Sequence, residues 1–523
     1  METTHFRIFV TLALCLLLPS VALAQTVSAS APTRAKDKIS FANVKYQIWG
    51  SSRDQESFDD ANPLEAREDV FHRLNLDAGM SFGSLKLRVT TDLIPGQLVG
   101  PAPALTATDF VTNNANDEQR GEVFDEVIPN IIDPYNAYIE YRSIFLARLG
   151  LQTSDYGMGI VANSGEEKAY DLFNQKAGGD RVLRFVLGFR PFAFGRKSSR
   201  VMKNINVIVG GDYVFVDDNA SLLRGDQAIQ GVASVFYKDQ NPVNPDEHSF
   251  LGVYFAHRNQ TDDGGETLVV SAIDLSGQKA WLTESKNWSV DVGFESALIS
   301  GSTDRAYTQS GKAETDVLAF GTAVELVGRH IPLQIGAKLK AGYASGDANT
   351  DDDTLFRFRF DPNYKAGLIL YDHYIPAMTR RSFFRATDPT QSGEPPRGVH
   401  NLISDGAIEN TVFLNPQLLF GNSQGLLAGV GMLWAKSAVP LADPFSSFKN
   451  GGTPVGINGG EGSRDLGIEI DAAVQYKMKL VSSLSIEAKI EYGILFPGDA
   501  FNDAQGNAAP AQNLVRGRLG LSW

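Results

Sequence analysis

The sequence predicts an all-β protein, a transmembrane antiparallel up-and-down β-barrel of about 18 strands with short periplasmic turns and long extracellular loops. Three observations predict it. The chain opens on a secretory signal pattern, apolar and polar residues alternate over segments of more than ten residues, and the connections between those segments alternate short and long.

At the N-terminus, Arg7 precedes an apolar run from Ile8 to Leu18. Pro19 and Ser20 follow, then Ala22-Leu23-Ala24, a small-x-small site that places cleavage before Gln25. The apolar core is too short to span a bilayer and lacks a stop-transfer flank. Cys15 follows Leu14 inside that core, where a lipoprotein signal would need a small residue before the cysteine. The expected organisation is a signal peptide over 1–24, a short periplasmic segment over 25–38 and an outer-membrane barrel over 39–523. So few residues before the first strand leave no room for a folded plug domain ahead of the barrel. Cys15 is the single cysteine, so the processed chain stands without disulfides. Beyond the signal no apolar stretch reaches roughly 18 residues, which excludes a membrane helix. A net charge of −14 argues against nucleic acid as a partner.

Period-two alternation carries the strand assignment. In one segment Leu466, Ile468, Ile470, Ala472, Val474, Tyr476 and Met478 oppose Gly467, Glu469, Asp471, Ala473, Gln475 and Lys477. In the next, Leu484, Ile486, Ala488, Ile490, Tyr492 and Ile494 oppose Ser485, Glu487, Lys489, Glu491 and Gly493. Strands of a soluble sandwich usually run about five or six residues, whereas a tilted strand crossing a bilayer needs about 9–11. Length therefore favours the membrane barrel. Similar faces read at Ala42–Ile48, Leu74–Phe82, Leu85–Leu93 and Leu333–Ala341. Segments near 227–238, 248–259 and 266–277 alternate poorly and are placed by spacing. The returning connections are short, at Gly83-Ser84, Ser143, Gly328 to His330, Gly421 to Gly425 and Lys479 to Ser483. The outgoing ones, 50–69, 95–133, 153–180, 346–410, 437–463 and 497–512, are long. Three middle turns, near 193–202, 239–247 and 278–287, exceed the usual periplasmic length. In the last strand Val515, Leu519, Leu521 and Trp523 alternate with Arg516, Arg518, Gly520 and Ser522. A terminal aromatic behind apolar alternate positions resembles the signal read by the barrel-assembly machinery, and Trp523, Leu521 and Leu519 are its expected elements.

The lumen of so large a barrel admits water, and inward residues set its selectivity. Alternation turns Lys45, Arg73, Lys86, Arg88, Arg142, Arg148, Arg184, Arg190, Arg516 and Arg518 inward, with Asp77, Asp92 and Glu140 among them. An acidic wall is expected opposite, from Asp212, Asp291, Glu295, Asp316 and Glu325. A basic wall facing an acidic one would orient dipolar and charged solutes, and guanidinium forks suit carboxylates. Alternatively, the charges pair across neighbouring strands and stiffen the wall. The loop after Tyr343 carries Asp347, Asn349, Asp351 and Asp353, alternate oxygens suited to calcium, although Asp352 and Phe358 stand where an EF-hand needs Gly and Glu. No other cofactor is expected. That connection, about 65 residues, is the longest, and long loops are usually functional; it is expected to fold into the mouth and narrow the pore. His72, His248, His257, His330, His373 and His400 show no metal-ligand spacing, and Ser392, His400 and Asp405 show no nucleophile pattern, so no enzyme is expected.

Two stretches, Gly342-Tyr343-Ala344-Ser345-Gly346-Asp347 with Phe360-Asp361-Pro362, and Tyr492-Gly493-Ile494-Leu495-Phe496-Pro497-Gly498-Asp499-Ala500-Phe501, resemble alginate-export-type outer-membrane channels and related porin-like barrels. The segment Leu149–Gln152 through Tyr156-Gly157-Met158-Gly159-Ile160 is similar in character. The resemblance implies an eighteen-strand barrel with an arginine-rich conduit and loops closing the outer mouth. The acids in the middle and late strands depart from that basic conduit and weigh against export of an anionic polysaccharide. The expected function is passive diffusion of small hydrophilic solutes, with anionic ones favoured, across the outer membrane of a Gram-negative cell, in contact with its lipid and lipopolysaccharide. The alternative is a loop-plugged barrel serving adhesion at the surface.

Overall fold

The computed structural model describes residues 38–54, 67–99, 132–168, 170–174, 178–193, 199–241, 247–307, 314–349, 352–392, 398–457, 459–481, 483–503 and 505–523. The expected signal peptide and most of the segment after it lie outside the described residues.

One sheet holds 19 strands, and 18 of them form the wall of a closed antiparallel barrel. The first third of the wall is β1 (Lys38–Arg53), β2 (Arg67–Phe82), β3 (Leu85–Val99), β4 (Ile132–Arg142), β5 (Phe145–Thr153) and β6 (Arg181–Phe189). The next seven are β7 (Ile205–Val216), β8 (Gln227–Gln240), β9 (His248–Thr261), β10 (Thr267–Leu282), β11 (Trp288–Thr303), β12 (Thr315–His330) and β13 (Ile335–Ala344). A two-residue strand, β14 (Thr354–Leu355), lies parallel to the outer end of β12 and stands apart from the wall. The wall resumes with β15 (Thr411–Gly421), β16 (Leu426–Ser437), β17 (Asp465–Val481), β18 (Leu484–Pro497) and β19 (Gln512–Ser522). Each wall strand pairs with its sequence neighbour, β13 passing directly to β15.

The ring shuts where β19 meets β1, from Lys45 opposite Ser522 to Arg53 opposite Leu514. Trp523 extends that seam by exchanging backbone hydrogen bonds with Val44, 2.9 Å each way. A closed ladder leaves no edge N–H or C=O facing hydrocarbon, which is the condition for a sheet to cross a membrane. Large apolar side chains cover the outside: Leu318, Phe320, Val324 and Leu326 on β12, and Ile468, Ile470 and Val474 on β17, are all exposed. Their alternates Glu469, Asp471 and Gln475 point inward and are buried. The expected parity is therefore the observed one from Ile468 on β17, whereas Leu466, beyond a register shift at Gly467, turns into the core.

The strands placed by spacing also form. On β9 the outward Leu251, Val253 and Phe255 are exposed, but the inward Tyr254 is an aromatic covered by Tyr156, whose ring stacks on it at 4.9 Å. An inward position roofed by a loop tolerates an apolar residue, and this blurs the alternation. Of the three long middle turns, 190–204 holds a helical turn at Arg200–Lys203. The third is shorter than expected because β10 continues to Leu282.

The hydrophobic core lies inside the ring. Two outer loops fold into the lumen, one over 154–180 after β5 and one over 345–410 after β13. Met158, Ile160, Leu172 and Phe173 from the first meet Phe358, Phe360, Leu368, Leu370 and Tyr371 from the second, all buried. Wall residues of small or apolar type, Ala297, Ala319, Ala323, Phe413, Leu433 and Leu495, complete the cluster. The longer loop contains a π-helical turn (Leu370–Tyr374) running into α1 (Ile375–Thr387). The expectation that this loop narrows the mouth is met.

Because the outer face is solvated by lipid, Val474→Arg, near the middle of β17, should cost about 2–4 kcal/mol. Denaturant titration of folding into lipid vesicles measures it, and an unchanged midpoint would place that face away from hydrocarbon.

Candidate functional site

The candidate site is the constricted lumen, and two glutamates on the wall build it. Glu295 on β11 accepts the backbone N–H groups of Met158, Gly159 (2.9 Å) and Ile160 (3.2 Å). Glu469 on β17 accepts those of Leu368, Ile369 (2.8 Å) and Leu370 (2.8 Å). Each loop thus presents three consecutive donors to one buried carboxylate, the arrangement that elsewhere makes an anion-binding nest. A glycine precedes each triplet for a definite reason. Gly157 (φ +60°) and Gly367 (φ +76°) take the left-handed conformation, and a Cβ there would stand 2.5 Å and 2.8 Å from the glutamate oxygens. Only glycine combines that backbone with that approach.

Ion pairs fix the shorter loop across the lumen. Asp171 meets Lys340 at 3.1 Å and Lys338 at 3.4 Å; burial opposes its charge, yet the two lysines hold its carboxyl well below the usual range. Glu167 pairs with Arg518. Burial works against that charge too, but Arg518 and Lys45 outweigh it and bring the Glu167 carboxyl down to about 2. Lys489 donates to the Asn174 carbonyl at 3.0 Å, and the Arg329 guanidinium lies 3.6 Å from the Tyr170 ring centre. The two loops also touch, since the Asp361 N–H donates to the Ile160 carbonyl at 3.0 Å.

The inward arginines expected from alternation, Arg190 excepted, stand at inward positions of their strands, and most are engaged. Arg88 holds Asp77 with two hydrogen bonds, 2.9 and 3.1 Å. Arg148 pairs with Glu140, which lies directly opposite on the next strand. Arg184 grips Asp212 at 2.6 and 2.7 Å, again directly opposite. Arg516 grips Glu491 at 2.7 and 3.1 Å, and Arg518 adds Glu487 at 2.5 Å. Arg73 bonds Gln47 and reaches Asp92 at 3.5 Å. Arg142 leans on Glu140 at 3.2 Å but is largely exposed at the end of β4. Lys86 is inward and half-buried, with no ion-pair partner among the described residues. Arg190 lies just past the end of β6 and is exposed. The basic and acidic sets are therefore interleaved at Arg184–Asp212 and do not face each other there, because the register sets them side by side on adjoining strands.

Among the remaining acids, Asp291 accepts from Gln278 (2.9 Å) and Glu325 meets Lys338 at 3.6 Å. Asp316 corrects the expectation. It shares the parity of Leu318 and Phe320, is exposed, and faces outward at the loop end of β12. In the proposed calcium set, Asp347 accepts the N–H groups of Asn349 (3.0 Å) and Phe356 (3.1 Å), and Asp351 lies outside the described residues. Leu519, Leu521 and Trp523 point outward beside the closing seam.

Between the loops and the outer half of the wall remains a cavity of about 330 Å³. Asp180, Asp217, Asp218, Tyr254, Arg258, Arg359 and Asp361 line it, with Val182, Ile299 and Phe358 as apolar walls. Of these only Phe358 and Asp361 stand in stretches the sequence singles out, and neither as a cavity residue. The legible signal lay in Glu469 and Glu295 as inward carboxylates; nothing in the sequence says that backbone donors from loops 101 and 137 residues away would meet them.

No family model matches the chain, so the resemblance to alginate-export-type channels finds no support there. No curated protein matches either. Solved structures to which the chain is similar include Acinetobacter baumannii OccAB1 (TM-score 0.48, 11% identity, 92% of this chain and 96% of that one). Pseudomonas aeruginosa OccK2 (OpdF) is similar at a TM-score of 0.46 and 10% identity, over 92% of this chain and 97% of that one.

Two outcomes follow from the anchors. Glu469→Ala leaves three buried donors unmet, each at a cost of about 1–3 kcal/mol, and should raise both the size and the noise of single-channel currents while the barrel still folds. Glu167 is depressed, so its contribution is present above its ordinary value of 4.5 and is lost as pH falls through about 2. Current noise in the wild type should therefore stay level from pH 7 to about 4 and rise toward pH 2, whereas Glu167→Gln should be noisy at pH 7.

Proposed function

We propose that the chain is an outer-membrane channel for passive diffusion of small hydrophilic solutes. One observation carries this reading. A closed wall, apolar outside and charged within, keeps a cavity of about 330 Å³ beside the two loops that constrict it. A barrel serving only as a surface scaffold needs neither buried inward ion pairs nor a polar void. Selection of solutes then belongs to the lumen, where the inward cations still exposed, Lys86 beside the Gly83-Ser84 turn and Arg142 at the end of β4, favour anionic solutes by their field. Trp523 with Leu521 and Leu519, outward and at the seam, supports recognition by the barrel-assembly machinery. A second reading has its own support: the apolar cluster formed by the loops inside the ring suits a plugged barrel working at the cell surface.

Planar-bilayer recordings of the refolded protein under a salt gradient separate the readings. Discrete open steps with anion preference, weakened by Lys86→Gln and Arg142→Gln, are expected. Steps without preference leave a general channel. Silence from protein shown to be β-sheet by circular dichroism overturns the channel in favour of the plugged barrel.

A further inference from the structure

The charges around the outer cavity do not balance. Asp180, Asp218 and Asp361 line it without an ion-pair partner among the described residues. The cations that line it are committed to other acids, Arg305 to Asp262 (2.6 Å) and Arg357 to Glu409 (3.7 Å) among them. Arg258 holds Asp217 at 2.5 and 3.2 Å and donates to Gln260 at 2.8 Å. Arg359 donates to the carbonyls of Ile403 (3.2 Å) and Ser404 (3.0 Å) and stands 3.5 Å from Glu409.

Asp361 supplies an independent observation. Its side chain is 3% exposed. One oxygen accepts the N–H (2.7 Å) and the side-chain amide (3.0 Å) of Asn363. The other, Oδ2, is buried and meets no donor among the described residues. A buried carboxylate oxygen without a donor is costly, and a cavity beside it offers room for one. Burial, and then the neighbouring acids, push Asp180 and Asp361 well above the usual carboxylate range; a cation bound among them would restore their charge. The cavity's apolar walls, Val182, Ile299 and Phe358, suit a carbon skeleton better than a bare metal ion, and no cluster of metal-ligating side chains stands among the described residues.

We propose that this cavity is a binding site for a small organic cation, an ammonium or amidinium group on a short apolar body, held by Asp180, Asp218 and Asp361. The proposal deepens the channel reading and rests on it for the solute's route, since the cavity lies beside the constriction. It adds a demand opposite in sign to that of the inward arginines. A solute moving through the outer half of the lumen meets carboxylates first.

The test uses n-butylammonium, with butyrate as the anionic twin, on the full-length barrel. Calorimetry in detergent micelles measures binding without requiring conduction, and bilayer recordings measure transient blockage. Butylammonium should bind and block, butyrate should do so at least tenfold more weakly, and Asp361→Asn and Asp180→Asn should each weaken the cation at least tenfold. The asparagines are close in shape and relieve repulsion, so folding is expected to survive; heat-modifiable migration on gels checks it. Equal affinity for the two probes, or affinity unchanged in both folded variants, overturns the site. Open steps without calorimetric binding overturn the site and leave the channel. Calorimetric binding without open steps supports the site and overturns the channel.

Discussion

Everything in this molecule depends on the ladder between β19 and β1. In hydrocarbon an unpaired backbone group has no water to turn to, so the sheet must end where it begins. The seam from Lys45 to Arg53, prolonged by Trp523 on Val44, meets that requirement. Once it does, side chains are sorted by parity alone: one set dissolves in lipid, the other is confined to the interior. The interior set must then satisfy its own polarity, and it does so locally, with arginines gripping acids on adjacent strands.

The lumen is too wide for the wall to fill with its own side chains. Backbone from the two inward loops enters it, bringing N–H groups that need acceptors. Glu295 and Glu469 provide them, and the glycine before each triplet lets the chain come close enough. The repeated solution in two unrelated loops indicates that the limiting problem is satisfaction of buried backbone, with apolar packing of Phe358, Phe360 and Leu433 following from it. Ion pairs such as Asp171 with Lys338 and Lys340 add orientation. Buried pairs of this kind specify geometry more surely than they stabilise.

Much of the wall was legible in the sequence because lipid imposes a strict period of two. Long runs such as Ile468–Met478, the short and long connections and the terminal Trp523 all follow from that one solvent. Legibility fails where another part of the chain replaces water or lipid. Tyr254 faces inward and is aromatic because Tyr156 covers it, and Asp316 faces outward because it lies at the loop end of its strand, beside Asp353. The acidic partners of the arginines were present at the right parity, but pairing depends on register between strands, which alternation within a strand does not contain. The cavity was least legible of all, since its walls come from seven wall strands and five loops.

The inverted core constrains the order of assembly. The hydrogen bonds of Glu295 and Glu469 join residues 137 and 101 positions apart, and their donors have no partner until the strands carrying those glutamates are in place. Contacts of such long range form late, after chain closure has brought their ends together. The loops can therefore narrow the lumen only once the wall strands that carry Glu295 and Glu469 stand in the ring.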